Sequence, residues 1–242
     1  MNKVTRRGLI LAGVGGVAGA AAASRLIRQY GLLPPDSGGL YGPGHTLTYA
    51  SHRLITRHSL AREFSRSQIS AKPFANGRPP KSEDYIAHQK AGFTDWRLQI
   101  DGMVSNPGSF SVADLRAMPA SGQITQLICE EGWSYIAEWT GVPLNHLLGL
   151  AGAAPQARYV IYSSIQPGWR SAIDMADALH PQTVIAYAMN DADVPAGHGG
   201  PLRMRVPRQL GYRSVKYLTR LTVTDSLDGK LRKSSYSWHA GI

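Results

Sequence analysis

A single cysteine, Cys129, in a chain of 242 residues removes most of the devices that hold a protein together from outside its core. There can be no internal disulfide, no CxxC zinc ribbon, no thiolate-ligated iron–sulfur cluster and no CxxCH haem attachment. Order must come from burial, and 43% apolar residues over this length suffice for one sizeable core or two small ones. With 17% charged residues, 26 Gly and 15 Pro, the chain is neither disordered nor fibrous in composition.

The first 23 residues read as an address rather than as structure. Lys3, Arg6 and Arg7 precede an uncharged apolar stretch at 9–23, and Ala21-Ala22-Ala23 offers small residues for cleavage before Ser24. The stretch Thr5-Arg6-Arg7-Gly8-Leu9-Ile10 resembles a twin-arginine signal, which implies export of a folded protein by the Tat machinery to the periplasm. The apolar stretch is shorter than the roughly 20 residues that span a bilayer, so cleavage is expected, with an uncleaved membrane anchor as the alternative. Gly13-Val14-Gly15-Gly16-Val17-Ala18 fits a dinucleotide fingerprint, but no strand precedes it and no βαβ unit surrounds it. Removal of Lys3, Arg6 and Arg7 takes the formal charge from +10 to +7, enough to favour acidic partners. Export, and the lack of a basic stripe interleaved with aromatics, argue against nucleic acid.

Residues 24–94 are rich in Pro, Gly, Ser, Arg and His and read as an extended arm over a core, with Leu54, Ile55, Leu60, Phe64, Ile69 and Phe74 as spaced anchors. From Asp95 the texture changes. Residues 96–100 alternate as a half-buried strand, and 111–118 form a short helix capped by Ser111, with Asp114 at its third position and Pro119 as its stop. Strands follow at 123–129, 159–163, 202–207 and 217–224, with a helix at 142–151 begun at Pro143 and a helix or strand edge at 181–189. Short strands and helices mix without regular βαβ spacing, which gives an α+β fold of mostly antiparallel sheet. The division is a signal at 1–23, an arm at 24–94, a core at 95–227 and a tail at 228–242.

Cys129 ends the apolar run Ile124-Thr125-Gln126-Leu127-Ile128 and is followed at once by Glu130-Glu131-Gly132-Trp133. A lone cysteine is often a small buried hydrophobe. In an oxidising compartment, however, an unpaired thiol is either sealed in the core or held by something, and a metal would hold it as thiolate. Downstream, His198-Gly199-Gly200-Pro201-Leu202-Arg203 leads to Gly211-Tyr212-Arg213-Ser214-Val215-Lys216. Glycines there admit close approach of a ligand, while Arg203, Arg213 and Lys216 can grip an oxyanion such as phosphate; solvated surface charge is the plainer alternative. The eight histidines include no HExxH and no pair four apart, and there is no GxSxG or Walker loop.

Together, Cys129-Glu130-Glu131-Gly132-Trp133-Ser134, Trp139-Thr140-Gly141-Val142-Pro143-Leu144 and the two basic motifs resemble the sulfite oxidase family of molybdopterin oxidoreductases over residues 95–224. The exported, single-domain branch that holds the periplasmic methionine sulfoxide reductases is nearest in architecture. The resemblance implies a sulfite-oxidase-type fold and a molybdenum-molybdopterin cofactor whose metal is bound by the Cys129 thiolate. It implies that His198 and Arg203 hold the pterin and its phosphate, with Arg213, Ser214, Val215 and Lys216 at the phosphate end. Ser164 matches a threonine that contacts the cofactor in the reductase branch. Two departures stand out: that branch has an asparagine at the position of His198, and its asparagine-bearing arm motif is reduced here to Leu60-Ala61-Arg62-Glu63-Phe64.

The expected activity is a two-electron oxygen-atom transfer on a small substrate, as a sulfoxide reductase or a sulfite dehydrogenase. With no haem or iron–sulfur site of its own, the chain would exchange electrons through a membrane b-type cytochrome or a soluble cytochrome c. Trp133, Trp169 and Arg170 are candidates for the substrate entrance, with core packing the equal alternative for the aromatic residues. The short tail 236–242 leaves no room for an immunoglobulin-like dimerisation domain, so a monomer is expected. The rival reading is an exported, non-catalytic binding or assembly module on the same fold.

Overall fold

The computed structural model describes residues 42–56 and 58–227, together with Leu32. The signal at 1–23 and the tail at 228–242 lie outside the described residues. The chain divides into two units between His58 and Ser59. In the first, helix α1 (Gly42–Thr56) holds Tyr49 and Arg53 one turn apart, with Arg53 Nε donating to Tyr49 Oη at 3.3 Å. Everything below concerns the second.

Its strands form two five-stranded sheets. One sheet runs β2 (Gly108–Ser111), β1 (Arg97–Gly102), β10 (Leu218–Thr224), β5 (Tyr159–Ser164) and β6 (Arg170–Asp174), antiparallel except where β1 lies parallel to β10. The other runs β3 (Ser121–Ile128), β4 (Ser134–Pro143) and β7 (Val184–Met189), with β8 (Ala192–Asp193) and β9 (Arg203–Arg205) both paired to β7. Short helices α2 (Glu83–Lys90), α3 (Val112–Ala117), α4 (Leu144–Ala151) and α5 (Met175–Ala178) complete the unit. This is the mixed, mostly antiparallel α+β arrangement expected from the sequence.

Local chemistry explains the elements. Ser111 caps α3: its Oγ accepts from the Asp114 N–H at 3.0 Å while Asp114 Oδ2 accepts from the Ser111 N–H at 2.8 Å, a reciprocal box that satisfies two end donors. On α4, Leu144, Leu147, Leu148 and Ala151 fall at i, i+3, i+4 and i+7 and are all buried. Each of those leucines contributes ~1.5–3 kcal/mol by leaving water. Strand β7 is buried on both faces: Ile185 and Tyr187 join the larger core with Trp96, Leu98 and Leu221, while Val184 and Ala186 join a smaller one with Leu127, Tyr135 and Trp139.

That smaller core sits inside a curl of the second sheet. From β9 to β3 is three strand steps, about 14 Å if flat, far beyond an arginine side chain. Yet Arg205 Nη2 on β9 donates to Thr125 Oγ1 at 3.1 Å and to the Gln126 carbonyl at 2.6 Å on β3. The sheet closes on itself enough to bring the cysteine-bearing strand beside the arginine-bearing one.

The segment read as an extended arm, 24–94, is irregular from 69 to 82 but contains the helices α1 and α2, and of its expected anchors Leu54, Ile55, Leu60 and Phe74 are exposed. Ser82 caps α2, Glu83 and Asp84 occupy its positive end, and Lys90 occupies its last turn. Tyr85 drops from it into an aromatic cluster with Phe93, Trp96 and Tyr217, and its hydroxyl donates to the Gly200 carbonyl at 2.9 Å. Thus α2 is pinned beside the glycine-rich loop.

Candidate active site

Alternation along β3 sends Gln123, Thr125 and Leu127 inward, and the same alternation carries Cys129 to the inner side just past the strand. A tight loop follows: the Cys129 N–H donates to the Trp133 carbonyl at 2.9 Å, and the Gly132 N–H to the Cys129 carbonyl at 3.1 Å. The turn Gly211–Arg213 lies directly against it. A Cβ on Gly211 would stand 3.5 Å from Cys129 Cα and 3.4 Å from the Ile128 carbonyl, and the Tyr212 N–H donates to Glu130 Oε2 at 3.3 Å.

Cys129 is 7% exposed, and its thiol donates to Glu130 Oε2 at 3.5 Å. Burial, with the nearby Glu130 and Glu131 charges adding to it, pushes the thiol up to about 11, although the Glu131 backbone N–H pulls the other way. The unliganded side chain is therefore a thiol at neutral pH, and a cationic partner is what would convert it to thiolate. Among the described residues no group of three or more His, Cys, Asp or Glu could hold a metal ion. A metal at Cys129 must arrive with other donors of its own.

The basic motifs converge near this loop. Arg203 on β9 donates from Nη1 to the His198 carbonyl at 2.8 Å and from Nε to the Ser214 carbonyl at 3.2 Å. His198 Nδ1 lies 3.3 Å from Tyr135 Oη. Burial first, then the Arg203 and Lys216 charges, hold His198 down at about 4, so its imidazole is neutral at pH 7. Lys216 Nζ donates to the Asn76 carbonyl at 2.6 Å and the Gly197 carbonyl at 2.5 Å, and burial with Arg203 lowers it to about 8. Gly199 makes this packing achievable: its φ is +104°, and a Cβ there would meet Lys216 Cβ at 2.7 Å.

The other residues singled out by sequence are placed as follows. Ser214 Oγ accepts from the Val206 N–H at 3.3 Å, and the Val215 carbonyl accepts from the Met204 N–H at 2.9 Å, so both lock the loop to β9. Arg213 turns toward the first sheet, donating to the Ala172 carbonyl of β6 at 2.6 Å. Ser164 ends β5 opposite Leu218, and its Oγ accepts from the Gln166 N–H at 3.1 Å. Trp169 and Arg170 are exposed at the tip of the β5–β6 hairpin. His198, Arg203, Ser214, Val215 and Lys216 thus pack on one another next to the turn that touches the Cys129 loop, whereas Arg213 bonds to β6 and Ser164 stays with the β5–β6 hairpin.

Three residues escaped the sequence reading. Arg205, fully buried, shares the indole of Trp139 with Arg203 at 5.8 and 5.2 Å, and its Nε and Nη1 have no hydrogen-bond partner among the described residues. Tyr135 links His198 to Arg203. Asn76 comes from the arm. The two-residue spacing of Arg203 and Arg205 was the readable signal, since i and i+2 share a strand face. Arg203, Arg205 and Lys216 form no ion pair among the described residues, although the neighbouring thiol loop carries Glu130 and Glu131 and Glu130 Oε2 accepts from the Tyr212 N–H.

Comparison with known proteins matches the same region. Over 147 residues the chain is 40% identical to the putative protein-methionine-sulfoxide reductase subunit YedZ1 of Azospira oryzae, covering 60% of this chain and 56% of that protein. Over 181 residues it is 28% identical to the protein-methionine-sulfoxide reductase catalytic subunit MsrP of Xanthomonas campestris pv. campestris, covering 67% and 56%. The chain thus spans little more than half the length of these curated relatives. The crystal structure of the sulfane dehydrogenase SoxCD from Paracoccus pantotrophus shares the fold, with a TM-score of 0.54 and 22% identity over 70% of this chain and 46% of that one. The family model described as oxidoreductase molybdopterin binding domain matches residues 85–230, which take in the thiol loop and the whole cationic cluster, and the chain belongs to that family.

Proposed function

We propose that this chain is the catalytic part of an exported molybdenum-molybdopterin enzyme that reduces a sulfoxide, with Cys129 as the ligand to the metal. The observation that carries the reading is one thiol, without companion ligands among the described residues, set near Arg203 and Lys216, which form no ion pair among those residues. Such a donor set suits a metal that brings its own sulfur donors and a phosphate-bearing organic ligand. When bound, the molybdenum-pterin group supplies two-electron oxygen-atom exchange.

The chain's own residues then have definite tasks. Cys129 offers Sγ once its proton has left, and Glu130 Oε2, already the acceptor of that thiol's hydrogen bond, is placed to take it. Arg203 and Lys216 supply the fixed charge that offsets a phosphate, while neutral His198 and Ser214 contribute hydrogen bonds without adding charge. We assign Ser164, Arg213 and Val215 to the cofactor's surroundings on the strength of the motifs alone.

The names of the two relatives favour methionine sulfoxide as the substrate class, with sulfite oxidation as the alternative direction. In the reductive direction a sulfoxide takes up two electrons and two protons, giving a thioether and water. Electrons would arrive from a membrane b-type cytochrome or a soluble cytochrome c in the periplasm. Among the described residues no helix is long and apolar enough to cross a membrane. We further infer the division into signal 1–23, arm 24–94, core 95–227 and tail 228–242. The test sets a panel of sulfoxides with reduced viologen beside sulfite with cytochrome c. Turnover of sulfoxides alone supports the reading, and turnover of neither by molybdenum-loaded protein overturns it.

A further inference from the structure

We propose that Glu131 is a positioning residue, a clasp whose single carboxylate holds the arm across the thiol loop. Its Oε2 accepts from Asn76 Nδ2 at 2.9 Å and from Trp133 Nε1 at 2.9 Å, so one oxygen fixes a side chain of the arm and an indole of the loop together. Trp133 is in turn tied to the Cys129 backbone, because its carbonyl receives the Cys129 N–H. The Phe74 ring leans on the Trp133 indole with centroids 5.0 Å apart, and that indole stacks parallel to Tyr135 at 6.0 Å.

On its other side the same stretch of arm meets the cationic loop. The Asn76 carbonyl receives Lys216 Nζ, the Pro73 carbonyl engages the His198 ring, and a Cβ on Gly197 would be 3.4 Å from Ala75 Cβ. Residues 73–76 therefore bridge the two halves of the site. The flanks are anchored independently: the Ser70 N–H donates to the Ile136 carbonyl at 2.9 Å, and Tyr85 is bonded to Gly200. Loss of the clasp frees only the span between those anchors, and with it the orientation of Trp133 and the Cys129 loop. Both contacts to Glu131 are charge-assisted, the stronger kind of hydrogen bond. What the bridged pocket holds rests on the function proposed above; the clasp itself does not.

Amide exchange on the full chain, purified with the cofactor it carries, tests this. E131A and N76D are expected to raise exchange at the Cys129 and Gly132 amides about tenfold while β5 and β10 stay unchanged. E131Q, which keeps an acceptor oxygen, gives a smaller rise. The double variant E131A/N76A exchanges no faster than E131A, because both act through one contact. In parallel, molybdenum is lost faster from E131A than from wild type on dialysis. Exchange at Cys129 and Gly132 within about twofold of wild type in both E131A and N76D, or fully additive effects in the double variant, overturns the clasp. Wild-type protein that never carries molybdenum would instead overturn the functional reading, and the exchange result would stand by itself.

Discussion

Arg205 Nη2 lies 2.6 Å from the carbonyl oxygen of Gln126, three residues before Cys129, although their strands are three steps apart in the sheet. A permanent charge thus braces the strand that presents the thiol. It does so at a cost, since the guanidinium is fully buried, is lowered to about 9 by burial and Arg203, and has two nitrogens without a hydrogen-bond partner among the described residues. R205A leaves a cavity and strands the Gln126 carbonyl and Thr125 hydroxyl, and is expected to cost about 3–5 kcal/mol. R205M fills the space and removes the buried charge, so urea unfolding should find it at least ~2 kcal/mol more stable than R205A. Equal stabilities would place the whole cost in the hydrogen bonds to β3.

Two glycines separate backbone strain from steric conflict. Gly132 has φ +90° with open space where a Cβ would go, whereas Gly199 has φ +104° with Lys216 in the way. G132A should cost about 1–2 kcal/mol through backbone strain alone. In G199A the Lys216 stem must move as well, so a further ~1–3 kcal/mol is expected together with weaker cofactor retention. Thermal unfolding of both, with pterin content measured after gel filtration, checks the difference.

His198 gives a pH signature. Its folded value of about 4 lies below the ordinary 6.5, so between those values the unfolded chain binds more protons than the folded one. Stability of cofactor-free protein should rise with pH across that window, losing at most ~3 kcal/mol as pH falls from 6.5 to 4 and levelling below it. H198Q should flatten that slope. An unchanged slope in denaturant titrations from pH 4 to 7 would show that another group is responsible.

Much of this was legible in the sequence because each element carried its own local signal. Ser111 with Asp114 announced the start of α3, Pro143 the start of α4, and alternation marked β1, β3 and β10. The run 181–189 was ambiguous for a physical reason: β7 is buried on both faces, and a strand without a polar face has no period to read. Strand β4 was missed because Gly141 and Pro143 near its end look like breakers, though Tyr135, Ala137 and Trp139 alternate inward. Within the site, motif residues such as Cys129, His198 and Lys216 were visible. The meeting of Asn76 with Glu131 was not, since it depends on where the arm crosses the loop, a contact between residues 55 positions apart.

Replacing sulfur by oxygen at Cys129 tests the site chemistry without disturbing the fold. Among the described residues the thiol's hydrogen bond is to Glu130, and a serine hydroxyl can keep it, so C129S should unfold within about 1 kcal/mol of wild type. It should nevertheless lose the Mo(V) paramagnetic resonance signal and all turnover. Full activity in that variant would remove Cys129 from the metal.

The most direct measurement is X-ray absorption at the molybdenum edge, on wild type and C129S matured in a host that makes the cofactor. The account predicts close to one molybdenum per wild-type chain, with a shell of sulfur neighbours that loses one member in whatever metal C129S retains. A sulfur shell identical in the two proteins, or wild-type protein nearly free of molybdenum, would contradict it.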